Sequence, residues 1–435
     1  PEPRSREAVR IRGTSPTAPP LFRCPTDPIL RTMTAAPELD APRLPARVVN
    51  AAEARARFGT EADALFAALA RTDPLADACA EALAGRPEAP AWLAAGCAGD
   101  DPEDAPSTVR AFFAAARALP AWADLPRADR GGRLLFRAGV AGGITLGAKS
   151  LVAGYCSPGG NKPLVFSGAL EGQVQRRLAE TGRFVVATCT PGGLHPGGEA
   201  WGITLRVRLM HAQVRRLLRR SGRWDAARWG APINQHDMAA TALLFGVVFV
   251  EGVRQFGVPV SRAEAEDYVH LWRLSSWLMG VEEALLPADE AACRRQAELI
   301  ELTQGPPDED ARRLVRALLE SPRGTLQAKG SAERLADWHV ALGEGFCRAL
   351  VGDARADALG LPRTPARFVV PTSRAILRTA QKALPRAARA RAAARFEAFG
   401  RRYWARNLEM GLAGVPAAFR LPDALRSRPS SLRAG

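Results

Sequence analysis

The chain has 435 residues, of which 47% are hydrophobic and 24% charged, and its 60 Lys and Arg against 45 Asp and Glu leave a formal net charge of +15. A chain of this length and apolar content can bury a large core in about one to three domains. Ala, Leu, Arg and Glu dominate while runs of Val, Ile, Tyr and Thr are scarce, which excludes a strand-rich fold and predicts an all-α protein.

In chain order, residues 1–46 are rich in Pro, Arg, Ser and Thr without periodicity and read as a flexible leader; a single helical domain is expected over 47–420, with 421–435 as a tail. Helical patterns begin after Val48, at Ala51–Ala70, Pro74–Leu83 and Ser107–Ala118, with Ser107 as an N-cap. Arg130–Ala153 is strongly apolar, and its glycines would let helices or a cofactor approach closely. CSPGGNKP (156–163) is a turn, and Ser167 is placed as the N-cap of a helix running through Thr181. The loop CTPGGLHPGGEAWG (189–202) feeds the helix of RVRLMHAQVRRLLRR, and PINQHD (232–237) is a loop and N-cap before a buried helix, Met238–Phe256. Helices follow at Arg262–Glu283, Glu290–Leu302, Asp308–Leu319 and Gln327–Leu350, then Ser373–Arg406 beyond a break at Pro365–Pro371. No apolar run approaches the ~18 residues of a membrane span. Ala239–Val250 and Ala138–Tyr155, the latter interrupted by Lys149, fit buried helices better.

Seven cysteines, an odd number without a CxxC pair, argue for reduced or buried thiols rather than a disulfide framework and lean towards a cytoplasmic protein. The first residue is Pro1, not Met, which leaves a removed targeting segment and secretion open. The positive balance draws attention to nucleic acid, anionic lipid or acidic ligands. The arginines are nevertheless spread over many helices, with no aromatic stacking platform and no glycine-rich phosphate loop, so no nucleic-acid partner is expected.

The candidate chemistry lies in polar residues set on apolar stripes. Counted from Val207, Met210, Val214, Leu217 and Leu218 share one helix face, and His211 falls on it. One imidazole projecting from an apolar face is what a haem iron needs as its proximal ligand; a core histidine bonded to a backbone carbonyl would show the same spacing. Val174 and Leu178 carry Arg177 and Thr181 on their stripe. A buried Arg177 needs a partner, either Glu180 or Glu171 or an anionic group of a ligand, and Thr181 can bond to its own preceding turn. Thr241 stands with Leu244, Phe245, Val248 and Gly252 on a third face, as the wall of an apolar pocket or as a threonine satisfied by its own helix. Among the five histidines no HExxH occurs, and His236 with Asp237 and His270 is the one set from which a non-haem metal site could be assembled.

The segments SLVAGYCSPGGNKPLVFSGALEGQVQRRLAET, WGITLRVRLMHAQVR, GAPINQHDMAAT and EDYVHLWRLSSWLMGV follow one another in the order found in the latex-clearing protein (rubber oxygenase) family, which the chain resembles over about residues 130–290. Fungal MpaB-type oxygenases belong to the same broad group. The resemblance implies a globin-like haem-binding helical core with additional flanking helices, haem b bound through His211 as proximal iron ligand, and dioxygen as co-substrate. It also implies Arg177 and Thr181 as distal catalytic residues, and Arg177 together with the pocket residue Thr241 as cofactor-binding. Where the best-known rubber enzymes carry a lysine, this chain has Glu180, a candidate for acid/base work. The upstream distal glutamate of those enzymes has no clear match: ungapped counting lands on Asn161, and Glu171 is the nearest carboxylate on the helix.

The function expected from the resemblance is a haem-dependent oxygenase that oxidises or cleaves C=C bonds of an apolar, isoprenoid or polyisoprene-like substrate, with peripheral contact to a membrane or hydrophobic particle. The rival from another class is a non-catalytic haem- or lipid-binding helical protein at membrane surfaces. A basic helical scaffold for nucleic acid, with His211 merely structural, is the third. Oligomeric state is left open.

Overall fold

Helical periodicity governs the chain throughout, and the only β-type pairing among the described residues is an isolated antiparallel bridge between Val48 and Gln304. The computed structural model describes residues 44–166, 174–325 and 331–412; Ser167, Glu171 and the segment 421–435 lie outside them, as does the leader up to residue 43. The fold is all-α, as the composition predicts.

The stretch Ala51–Ala70 is three pieces rather than one helix: α1 (Ala51–Phe58), α2 (Thr60–Ala67) and a 3-10 turn, because Gly59 between them adopts φ +58°. Helix α3 (Pro74–Leu83) opens on Asp73, whose side chain accepts from the Ala76 amide, with Pro74 at the first helical position. After α4 (Ala89–Cys97), α5 (Ser107–Arg117) begins at Ser107 itself. Pro106 occupies the cap position and no side chain caps the helix, so Ser107 is not the N-cap expected.

Helix α6 (Leu125–Thr145) bends at Gly139, whose φ of +49° leaves the helical region. It continues as a π-turn, Leu146–Leu151, and then α7 (Val152–Tyr155). Next come α8 (Lys162–Phe166), α9 (Val174–Cys189), α10 (Glu199–Arg220) and the short α11 (Ala226–Trp229).

The helix expected over Met238–Phe256 is two, α12 (Gln235–Phe245), capped by Asn234, and α13 (Val247–Gln255), parted by Gly246 at φ −83°, ψ −104°. Together Gln235–Gln255 is long and apolar enough by composition to cross a membrane, which counting uninterrupted apolar runs did not anticipate; 56% of its apolar window is buried inside the fold, as in a core helix. Helix α14 (Arg262–Leu278) starts with a Ser261–Glu264 capping box and stops five residues before Glu283. The remainder is α15 (Glu290–Thr303), α16 (Glu309–Thr325), α17 (Ser331–Val351), α18 (Asp353–Ala358), α19 (Val369–Ala383) and α20 (Arg386–Leu412). Pro385 splits the last pair, where one helix was expected.

Three packed clusters hold the elements together. The largest joins α5, α6, α10, α13 and α14 through Phe112, Phe113, Leu135, Trp201, Phe249 and Tyr268. A second sets α1 and α2 against α12 and α15 through Phe58, Leu65, Leu243 and Leu299, and a third packs α7, α16 and α17 through Val152, Leu314, Val315 and Leu350. Helix α20 crosses α6 at two glycines: a Cβ on Gly400 would overlap the Phe136 carbonyl and lie 3.3 Å from the Gly139 Cα. Six cysteines fall among the described residues, all buried and unpaired.

Candidate active site

Arg177 and Thr181, one turn apart on α9, line the same small cleft, together with Leu151 of the π-turn, Tyr155 of α7, Leu164 of α8 and Leu314 of α16. Their spacing of four accounts for the shared face. Tyr155 was not singled out from sequence. It comes from the end of the apolar stretch twenty-two residues upstream, and the turn CSPGGNKP folds it back onto α9. Burial pushes the Tyr155 phenol up, while the Arg177 guanidinium pulls it the other way. Glu180 is not in the wall of this cleft; it accepts from Arg176 at 3.1 Å on its own helix, and Glu171, the other carboxylate offered as a partner for Arg177, lies outside the described residues.

His211 stands mid-way along α10 and is half-buried. Its Nδ1 is fully buried and has no hydrogen-bond partner, so a core histidine satisfied through that nitrogen by a backbone carbonyl is not what the structure contains. Burial, with the positive charge of Arg215 second and opposed by Asp73, lowers its pKa from 6.5 to about 4. The ring is therefore neutral at physiological pH and keeps a nitrogen lone pair. Arg208, three residues before, donates to Asp73, and Arg215, four after, donates to Asp77 at 2.7 Å, fastening both flanks of the histidine to α3. His211 lines neither of the two clefts described here.

Thr241 lines a second, larger cleft beside Ala153, Leu244, Val248, Ile300 and Leu350, with Lys149 and Arg355 also in its wall. The hydroxyl of Thr241 donates to the Asp237 carbonyl at 2.8 Å, the back-bond to its own helix. The π-turn separates the two clefts, Leu151 facing the smaller and Lys149 the larger.

The set His236, Asp237 and His270 does not form a metal site. Arg47 grips Asp237 at 2.7 and 2.8 Å, and His236 Nδ1 lies 3.2 Å from the same carboxylate. Burial alone would push the Asp237 carboxyl up, but Arg47 and His236 outweigh it and hold it well below the usual range. His270 instead meets the backbone of Asp124 and stacks edge-on against Trp122. Among the described residues no group of three or more His, Cys, Asp or Glu could hold a bare metal ion. A single neutral imidazole with an unpartnered buried nitrogen is the donor set of a metal already held by a macrocycle, and in that respect the residues fit haem.

Residues 134–390 match the family model described as the catalytic domain of ER-bound oxygenase mpaB/B' and rubber oxygenase, and the chain belongs to this family. The "Rubber oxygenase" of Streptomyces sp. (strain K30) is 29% identical over 203 residues, which make up 46% of this chain and 49% of that protein. The chain thus spans about half the length of the curated relative it matches. The solved structure of latex clearing protein in the closed state shares the fold, with a TM-score of 0.61 at 24% identity over 78% of this chain and 91% of that one.

Proposed function

We propose that the chain is a haem b-dependent oxygenase that takes dioxygen as co-substrate and oxidises or cleaves the carbon–carbon double bond of an apolar, isoprenoid-like substrate. The observation that carries this reading is the neutral His211 imidazole, whose buried nitrogen has no partner within a chain of an oxygenase family. The name of the Streptomyces relative supports the substrate class.

Haem held by His211 would supply the activation of oxygen and the redox chemistry, as cofactors do in such enzymes. The protein's own residues have simpler tasks. Arg177 places a fixed positive charge where negative charge develops on the reacting oxygen, and Thr181 adds a hydroxyl donor on the same face. Leu151, Leu164, Leu178 and Leu314 give that cleft an apolar lining, and a substrate seated against it would displace water and strengthen both interactions. The Tyr155 phenol, kept protonated by burial, is a further donor. Glu180, outside that wall and held by Arg176, could take up a proton only by way of an intervening water, and Thr241 belongs to the wall along which an apolar chain would lie.

An absorption spectrum of the purified protein, oxidised and then reduced with dithionite, tests the cofactor. A Soret band that His211→Ala abolishes is expected; no band, or full haem content in that variant, would overturn the reading. Dioxygen-dependent product from squalene, carotenoid or polyisoprene tests the reaction, and haem without any product would leave a haem-binding protein.

A further inference from the structure

Between Asp357 and Glu397 the sequence carries nine basic residues and no acidic one, most of the chain's net charge of +15 within a tenth of its length. The segment covers α19 and the start of α20. Among the described residues Arg374, Arg378, Lys382, Arg386, Arg391 and Arg395 make no ion pair, whereas arginines elsewhere commonly meet a carboxylate, as Arg254 meets Glu290.

The same segment exposes large apolar side chains. Ile376 is 63% and Phe368 56% accessible, and Val369, Leu384 and Phe396 are exposed as well. On α19, Val369 and Ile376 stand two turns apart on one side, Val370 turns into the core, and Arg374, Arg378 and Lys382, spaced by four, form a separate row. A solvated helix face explains the charges, and stray surface apolar residues are ordinary. Neither accounts for apolar and cationic rows on the two flanks of one exposed helix face with every carboxylate missing. Nucleic acid would engage the arginines but has no use for Phe368 and Ile376. A second copy would bring nine like charges against nine. An anionic lipid surface laid against the exposed face between the two flanks, Thr372, Ala375 and Thr379, meets both rows, by attraction at the headgroups and insertion of the apolar side chains.

We infer that α19, with the turn before it and the start of α20, is a docking face for the headgroup layer of an anionic phospholipid membrane. The inference is independent of the haem chemistry. It is tested with the full chain by flotation on vesicles of phosphatidylcholine alone or mixed equally with phosphatidylglycerol. The protein is expected on the mixed vesicles only, and less so as salt rises. At about fivefold per basic residue, Arg374→Glu, Arg378→Glu and Lys382→Glu together lower partitioning roughly 100-fold. Phe368→Ser with Ile376→Ser lowers it at least about tenfold even at low salt, and unchanged helical circular dichroism in both exposed-site variants establishes that they fold. Equal binding to both vesicle types, no binding, or undiminished binding by either variant would overturn the inference. So would duplex DNA binding that the serine variant keeps in full, which would make this a nucleic-acid face, or a concentration-dependent dimer by light scattering that the serine variant loses, which would make it a self-association face.

Discussion

Arg208 donates to Asp73 through Nε at 2.6 Å and Nη2 at 3.1 Å, tying the turn before His211 to the residue that caps α3. The carboxylate is almost wholly buried, so it serves the cap and the ion pair without competition from water. Asp73→Ala removes both and leaves the Arg208 charge uncompensated. The expected loss is about 3–5 kcal/mol, measured by urea unfolding of haem-free protein. A loss below about 1 kcal/mol would show that water replaces the carboxylate.

Gly280 guards the same pair from the end of α14. It adopts φ +92°, and a Cβ there would overlap the Asp73 carboxylate and come within 2.6 Å of Arg208 Nε. Gly280→Ala therefore strains the backbone and parts the ions, with an expected loss of about 2 kcal/mol or more. Because the two substitutions damage one contact, Gly280→Ala with Asp73→Ala should cost less than the sum. Strict additivity in a double-mutant cycle would separate Gly280 from the pair.

The Arg47–Asp237 pair makes stability depend on acid. The folded Asp237 carboxyl lies below its ordinary 3.8, so the unfolded chain takes up that proton first as pH falls. The pair's contribution is thus complete above about pH 4 to 5 and drains away below it. Arg47→Leu is expected to lose about 3–5 kcal/mol at neutral pH, since it strands a buried carboxylate. The gap between parent and variant should shrink as pH falls towards the carboxylate range; a gap that stays constant with pH would mean that Asp237 keeps its charge without Arg47.

Arg177→Leu should lower oxygen-dependent turnover about 100-fold while leaving the Soret band in place, the size of effect seen when one preorganised donor is removed. Thr181→Val and Tyr155→Phe each delete one hydroxyl and should cost less. Product analysis on haem-matched samples checks all three. If Arg177→Leu lost haem rather than turnover, the guanidinium would be holding the cofactor and not the reacting oxygen.

Most of the helices were legible because proline, glycine and capping residues punctuate strong periodicity, as at Pro74 and Asn234. The breaks at Gly59 and Gly246 were not, since a glycine within an apolar pattern reads the same whether the helix passes through it or turns there. Ser107 looked like a cap because the position taken by Pro106 is set by the loop before it. Within the candidate site, the common face of Arg177 and Thr181 followed from spacing alone. Tyr155 did not, for its approach depends on a reversal of direction, and the wall around Thr241 draws on α15 and α17, far along the chain.

The anchoring of the earliest described residues bears on how the protein can be dissected. Arg47 reaches Ser157 and Asp237, its amide bonds to the Arg228 carbonyl, and the Val49 amide bonds to Thr303. The family match begins only at residue 134. A fragment excised at that boundary would forfeit Arg47 together with the Asp73 and Asp77 carboxylates that hold α10, leaving stranded charges at both places, so the family-matched segment relies on the residues before it for its ion pairs.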